Sequence, residues 1–402
     1  MKILTLTTLY PNHIKNGHGI FVEQRLRHLL GCEDIEAEVI APVPWFPFIS
    51  EKFGRYSVFA RIAKTERRYG ISLSHPRYLL LPKIGMTLAP LMLVFALYPL
   101  LKKKLKQGDN FDLIDAHYFY PDGVAAVMLG KLLKKSVIVT ARGSDINLIA
   151  TFYWPRKMIV WAAQQASAII TVCQALKEKI VDLGISPTNI HVFRNGVDLQ
   201  FFVPIDRQKA QTELKLTRPT LLSVGHLVEL KGHHLVIEAL QVLEDYHLVI
   251  AGDGEQMPRL KKMANDLGVA ERVTFLGAIS HQQLVTVYNA ADILILASSR
   301  EGWPNVLLEA MACGTPVIAT HVSGTPEIVT SSEAGMLMDE RSAQAIVTAV
   351  RTMQKQMPQR QETRAYAENY SWDATVHGIA GLFKEILGRP SVEGSLAHQD
   401  GD

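Results

Sequence analysis

Glu301 and Glu309, which bracket the segment EGWPNVLLE, are two carboxylates spaced to act on one hydroxyl-bearing ligand. Residues 291–299 (ADILILASS) form the short apolar run expected of a strand covered on both faces of a parallel sheet. Pro304 suits the first position of a following helix, which needs no amide hydrogen, and Gly314 with Pro316 stops it. Glu301 therefore falls in the loop at a strand's carboxyl end, where open α/β sheets bind ligands. Trp303 stands where Ser, Thr or Asp would cap the helix, leaving the amides near Asn305 and Val306 to an anion such as a phosphate. Glu309, about a turn and a half further on, is within reach of hydroxyls on the molecule carrying that phosphate.

Lys231, in VGHLVELKG, follows the first strand of the second half, so its ammonium can reach the edge that Glu301 occupies. Opposite charges about 4 Å apart attract by roughly 4 kcal/mol at an effective dielectric near 20. A diphosphate held by Lys231 and the helix amides would be stabilised as it leaves. Gly17 and Gly19, in the loop after the first strand of the chain, lack side chains and so permit close backbone approach to a ligand.

The elements that must position these groups alternate through both halves, which predicts two α/β doubly wound domains with parallel sheets and helices on both faces. In the first half, strands are expected at 2–8, 37–42, 112–117, 136–141 and 168–172, with helices at 21–30, 122–134 and 174–183. In the second, strands are expected at 220–224, 247–251, 272–276, 292–296 and 316–320, with helices at 234–243, 257–267, 281–290 and 304–312. The polar stretch 199–218 reads as a linker. The expected division is 1–198, 199–371, a helix at 372–388 and a mobile tail at 389–402. A length of 402 residues, 48% of them hydrophobic and 20% charged, suits two globular domains without extended disorder.

The segment EGWPNVLLEAMACGTPVIAT, followed by GTPEIV, resembles the signature of the family 4 retaining glycosyltransferases of GT-B fold, of the bacterial polysaccharide-biosynthesis type, and NGVD at 195–198 is similar to the family's sequence there. The resemblance covers nearly the whole chain. It implies two Rossmann-like domains facing a cleft, with the helix at 372–388 crossing back to the first, and transfer of a sugar from a nucleotide donor to a hydroxyl of a glycan or lipid-linked acceptor, in surface polysaccharide biosynthesis. The donor-binding residues it implies are Gly17, Gly19, His226, Lys231, Glu301, Gly302, Trp303, Pro304, Asn305, Val306 and Glu309. The implied catalytic residues are Glu301, Lys231 and His117, the last ending the strand in FDLIDAHYFYPDG. His117, Arg142 and Asp145 form the implied acceptor side. Two positions depart from the family's pattern. His226 replaces an arginine, weakening the second cationic anchor or making it depend on pH. Arg142 opens a loop that often begins with histidine, adding a cation suited to a phosphate or carboxylate on the acceptor.

No cofactor is expected beyond the nucleotide-diphosphate sugar as co-substrate, and no metal. The sole DxD is Asp400 and Asp402 in the tail, and the family does not require that metal. Nucleic acid is not an expected partner. The three cysteines, Cys32, Cys173 and Cys313, form no CxxC pair, and MKILTLTTLYP reads as a strand rather than a secretory signal, so a cytoplasmic protein is expected.

Residues 1–110 contain 16 Lys and Arg against 8 Asp and Glu. Residues 84–101 carry no charge and precede Lys102, Lys103, Lys104 and Lys106. By length the stretch would span a membrane, but Pro90 and Pro99 interrupt it and a single span would split its sheet. A core helix and a helix dipping into the membrane interface, with those lysines at the headgroups, remain; the second makes the protein peripheral to an anionic membrane.

Two other functions fit parts of the chain. One is a catalytically silent protein that holds a sugar nucleotide. The other is a nicotinamide-dependent dehydrogenase, because GDGEQM follows strand 247–251; Met257, however, stands at the third glycine, and no GxGxxG opens either domain.

Overall fold

A computed structural model of the chain describes residues 1–31, 35–80 and 85–389. Cys32, Ile84 and the tail from residue 390, with Asp400 and Asp402, lie outside the described residues. The chain divides into two compact units, Met1–Arg194 with Asp373–Asp402, and Asn195–Trp372.

The sheet of the first unit runs Ile190–Val192, Ala168–Thr171, Ser136–Ala141, Leu113–His117, Lys2–Leu6, Glu36–Ile40, Ile71–Ser74, Thr65–Arg68. Its central strands are buried on both faces, with Leu113–His117 covered along its whole length, which is why they read as unbroken apolar runs. The expectation of wholly parallel sheets fails at one border, where Thr65–Arg68 pairs antiparallel with Ile71–Ser74. The turn Tyr69–Gly70 joins them, both residues having positive φ. A hairpin this short and polar carries little apolar periodicity to announce it.

The helix Gly85–Lys106 contains Pro90 and Pro99. Leu93, Leu97 and Leu101 repeat every four residues on its buried face, and Leu93 joins Ala125 and Tyr78 in a core cluster. The opposite face is exposed at Leu91 and Phe95, and Met86 is exposed in the first turn.

The second unit has six parallel strands in the order Val273–Gly277, His247–Ala251, Thr220–Val224, Ile293–Leu296, Val317–Thr320, Gly335–Met338. Numbered along the chain this is 3-2-1-4-5-6, so the order reverses between Thr220–Val224 and Ile293–Leu296, and the loops leaving those two strands flank a crevice. In the first unit the reversal lies between Lys2–Leu6 and Leu113–His117.

The stretch 199–218 is not a linker. It holds the helix Arg207–Glu213, capped by Asp206, whose side chain accepts from the Lys209 amide at 3.1 Å, and the Ile205 amide donates to Asn289 Oδ1 at 2.9 Å. The boundary falls instead between Arg194 and Asn195. The helix Trp372–Ile386 packs with the first unit: Gly378 lies against the Phe193 ring, and Thr375 Oγ1 donates to the Arg194 carbonyl at 2.5 Å.

Candidate active site

In the second unit, the loop leaving Thr220–Val224 ends in the short turn Glu229–Lys231, and the loop leaving Ile293–Leu296 carries Glu301. The switch point thus brings together residues seventy positions apart. Lys231 Nζ lies 2.6 Å from Glu301 Oε1, and Ser298 Oγ donates to the same oxygen at 2.6 Å. The Lys231 side chain is 21% exposed and that of Glu301 10%, so the pair is shielded yet reachable.

Backbone packing holds this loop in place. Gly232, at φ 72°, passes so close to the neighbouring loop that a Cβ would meet the Ala297 carbonyl oxygen at 2.1 Å. Gly252 and Gly254 serve the same end from the next loop, where a Cβ would lie 1.9 Å from Gly225 O and 2.4 Å from Leu227 O respectively. The glycines of GDGEQM are therefore occupied by loop-to-loop contact, which removes the motive for a dinucleotide fingerprint.

The helix after Glu301 runs Asn305–Ala312. Pro304 is its cap residue rather than its first helical residue, with φ −78° and ψ 91°, and no side chain caps the helix. Its leading amides thus have no side-chain cap as acceptor. Trp303 does not stand at the cap; its ring is buried and its indole N–H donates to the Asn195 carbonyl at 2.9 Å. Asn195 Nδ2 donates in turn to Asn305 Oδ1 at 3.2 Å, tying the NGVD segment to the helix start. Gly302 lies in the loop between Glu301 and Trp303, and Val306 is partly buried in the first turn. Glu309 is 8% exposed, and its Oε2 accepts from the Tyr288 hydroxyl at 2.7 Å. Burial raises the Glu309 pKa, opposed by His281 and by the Tyr288 bond. His226 is exposed at the mouth of its loop.

In the first unit, His117 and Asp115 lie two apart on one strand and so share a face. Both are 1% exposed. His117 Nε2 lies 3.0 Å from Asp115 Oδ2, and its Nδ1 faces the Arg142 guanidinium, an arrangement that suits a neutral ring donating to Asp115 and accepting from Arg142. Burial, outweighing the pull of Asp115, pushes the His117 pKa down to about 3. Arg25, from the helix Ile20–Leu30, binds both Asp115 oxygens at 3.1 Å and Thr140 Oγ1 at 2.8 Å. Burial alone would raise the Asp115 pKa, but Arg25 first, then His117, hold it down to about 2. Arg142 also lies over the Phe21 ring, 5.1 Å from its centroid. Asp145 is fully buried and accepts from the amides of Phe119, Arg142, Gly143 and Ile146 at 2.7 to 3.2 Å, so it shapes the turn after Ser136–Ala141.

Gly19, at φ 70°, caps the helix Ile20–Leu30, and a Cβ there would lie 2.3 Å from the Leu9 carbonyl oxygen. Gly17 is exposed with open space around it.

Sequence reasoning missed Ser298, Tyr288, Arg25, Asp115 and Asp122. Two of them left a signal: Asp115 interrupts an apolar strand, and Ser298 is the first hydroxyl after one. Asp122 is 1% exposed; its Oδ2 accepts from Thr8 N at 2.6 Å and Thr8 Oγ1 at 2.9 Å, while Oδ1 has no hydrogen-bond partner among the described residues. Burial, against those bonds and helped by the charge of Asp145, pushes its pKa up to about 7. A carboxyl raised in the folded state contributes stability that is complete below the unfolded value and is lost as pH rises through about 7. Asp122→Asn is thus expected to stabilise the protein at pH 8 by on the order of a few kcal/mol and to leave it nearly unchanged at pH 4. Urea denaturation midpoints at the two pH values check this, and equal shifts at both would contradict it.

Two Rossmann-like α/β units, one with a lysine–carboxylate pair and an uncapped helix at its switch point, define a fold of the GT-B type. Residues 23–201 match Glycosyltransferase Family 4 and residues 204–370 match Glycosyl transferases group 1. The chain belongs to the family 4 glycosyltransferases, and it is an enzyme of that class. It is similar to the putative teichuronic acid biosynthesis glycosyltransferase TuaC of Bacillus subtilis, at 28% identity over 87% of this chain and 88% of that protein. It is also similar to the D-inositol 3-phosphate glycosyltransferase of Mycobacterium marinum, at 32% identity over 58% of this chain, and there it spans half the relative's length, 50%. Among solved structures, sucrose-phosphate synthase of Thermosynechococcus elongatus superposes with a TM-score of 0.77 at 19% identity, covering 96% of this chain and 99% of that one. HepE of Anabaena in complex with UDP gives 0.74 at 21%, covering 96% and 100%. At these identities the likeness establishes the fold.

Proposed function

We propose that the protein is a retaining glycosyltransferase that moves a sugar from a nucleotide-diphosphate donor to a hydroxyl of a glycan or lipid-linked acceptor, in surface polysaccharide biosynthesis. The observation that carries the reading is the Lys231–Glu301 pair, 2.6 Å apart at the switch point. The donor sugar's hydroxyls bind Glu301 and the ribose binds Glu309. Lys231 and the amides at Asn305 and Val306 hold the diphosphate. The acceptor hydroxyl oxygen bonds to the anomeric carbon on the face the phosphate leaves, the carbon–oxygen bond to phosphate breaks, and the proton passes to the departing phosphate oxygen. No protein carboxylate attacks the sugar, in keeping with the bonds from Lys231 and Ser298 that Glu301 Oε1 already accepts. The leaving charge is met by an ammonium and fixed dipoles already in place, so the reading includes no metal ion.

The acceptor binds at the carboxyl edge of the first unit's sheet. There His117, expected as a catalytic residue, is 1% exposed with both ring nitrogens engaged by Asp115 and Arg142, so it acts with Asp145 as a positioning residue, and Arg142 is the cation that meets an acidic group on the acceptor. The protein works at the cytoplasmic face of a membrane. Teichuronic acid biosynthesis in the relative, and UDP in the neighbouring structure, support a polysaccharide acceptor and a uridine donor.

A donor that binds only the folded form raises its melting temperature, by the equivalent of about 2.7 kcal/mol at a hundred times its dissociation constant. A thermal-shift series with uridine, guanosine and adenosine diphosphate sugars is expected to show such a rise with uridine sugars, and nuclear magnetic resonance of the product to show the donor's anomeric configuration kept. An inverted product would overturn the retaining mechanism.

A further inference from the structure

Parallel strands end on one edge of the first unit's sheet, and three uncovered aromatic or apolar segments start there. The first follows Glu36–Ile40 and Val43–Pro44: Trp45, Phe48 and Ile49 are 53%, 54% and 68% exposed. Its rings hold one another rather than a core, Phe48 stacking on Phe53 at 4.9 Å and Phe46 lying 5.6 Å from Tyr56. The second is the start of the helix Gly85–Lys106, which runs back from this edge toward the strand Leu113–His117. The third is the start of the helix Tyr153–Gln165, where Tyr153 and Trp154 are 61% and 58% exposed.

Contacts join the three. The Trp45 amide donates to the Tyr78 carbonyl at 2.7 Å, and Tyr78 clusters with Leu93 of the first helix. The Tyr120 hydroxyl reaches the Thr87 carbonyl at 3.2 Å, and the turn holding Tyr120 also contacts the helix Tyr153–Gln165. The charge beside these rings is mostly positive. Lys157 lies 4.7 Å from the Tyr153 ring centroid, Lys15 lies 5.0 Å from that of Phe59, and Lys52 and Arg156 are exposed, against Glu51. Residues 149–165 and 85–106 contain no Asp or Glu. Aromatic side chains interleaved with cations suit the headgroup level of a bilayer, where a ring meets lipid and its polar tip meets water. A protein interface, by contrast, is depleted in lysine, and Lys15, Lys52 and Lys157 all stand beside these rings.

We propose that this edge of the first unit docks on an anionic lipid bilayer, with Trp45, Phe48, Tyr153 and Trp154 at headgroup level. The inference rests on the lipid-linked acceptor of the proposed function: the acceptor's apolar tail stays in the bilayer while its hydroxyl reaches the same edge. It differs from a helix lying flat with Lys102, Lys103, Lys104 and Lys106 at the headgroups. Those lysines end the helix about 27 Å from Met86, at the opposite edge of the sheet. Lys104 is engaged there with Glu38 at 3.0 Å and with Asp109.

Flotation of the full chain with phosphatidylcholine vesicles, with and without phosphatidylglycerol, tests the docking. Binding is expected with the anionic lipid and is expected to fall about tenfold or more in Trp45→Glu/Trp154→Glu. Lys102→Gln/Lys103→Gln/Lys106→Gln should bind nearly as the native protein does. Brominated lipid should quench tryptophan fluorescence in the native chain and much less in Trp45→Phe/Trp154→Phe/Trp161→Phe, whose two remaining tryptophans, Trp303 and Trp372, are buried. Loss of binding in the lysine variant with the tryptophan variant unaffected would overturn the inference. So would absence of vesicle binding in a chain that still shows the donor-induced thermal shift, and that result would leave the glycosyltransferase reading standing.

Discussion

Lys231→Ala is expected to lower the turnover of sugar transfer by a hundredfold or more, the range seen when a preorganised charge contact to the developing negative charge is lost. The ammonium sits at the switch point before any donor arrives, held 2.6 Å from Glu301 by glycine-tight loops. Its attraction to phosphate strengthens as the bond to the sugar breaks and negative charge gathers on the leaving group. The loss should therefore fall on kcat more than on KM. Glu301→Ala should give a loss of similar size, because in the proposed mechanism it removes the contact to the sugar, and it also takes from the lysine the carboxylate 2.6 Å away. The two effects should not add, since the side chains form one unit 2.6 Å across. Steady-state kinetics of both single variants and the double variant measure this. Full additivity, or kcat unchanged in Lys231→Ala, would remove Lys231 from the reaction.

The largest expected effect on stability comes from a buried arginine in the first unit. Arg25 is 2% exposed and binds both oxygens of Asp115. Arg25→Met leaves that carboxylate buried without its fork, at a cost of about 3–5 kcal/mol. Because the pairing depresses the Asp115 pKa, its contribution is present above the unfolded carboxylate value and is lost as pH falls through about 2. In the variant burial is no longer opposed by the guanidinium and raises the Asp115 pKa above its unfolded value, so the carboxyl takes up a proton as pH falls, and the destabilisation should be largest near pH 7 and shrink toward pH 4. Adding Asp115→Asn should restore much of the loss at pH 7. Urea unfolding at both pH values, with tryptophan fluorescence as the probe, reports the result. A loss of equal size at both would mean that packing by the arginine stem, not charge, carries the contribution.

The legible part of the site is the part made of local signals. Glu301 and Lys231 each follow an apolar run that ends in a loop, so reading the strands places both at one carboxyl edge, and the strands Thr220–Val224 and His247–Ala251 appear with the bounds expected of them. Trp303 and Pro304 each stand one position away from the place their residue types suggest, because a proline's fixed φ suits both the cap and the first helical turn; the backbone of Pro304, with ψ at 91°, is still extended. Arg25 could not be read, because an arginine in the polar-looking helix IFVEQRLRHLL has the pattern of a solvated face, and its partner lies 90 residues away. Residues 199–218 mislead by composition: their polar side chains cap and tether a helix that the second unit holds in place. The aromatic loop 45–56 has no period at all, and its meaning comes only from the edge at which the sheet sets it down.

The antiparallel border strand Thr65–Arg68 bears on how the protein behaves at high concentration. It is four residues long, three of them charged, and Arg68 is tied by its guanidinium to Glu23 while Glu66 meets His75 at 2.7 Å. The far border, Ile190–Val192, is three residues long. Neither margin is a long, flat, apolar template onto which a second chain could add a strand, so the first unit resists stacking into fibres through its backbone.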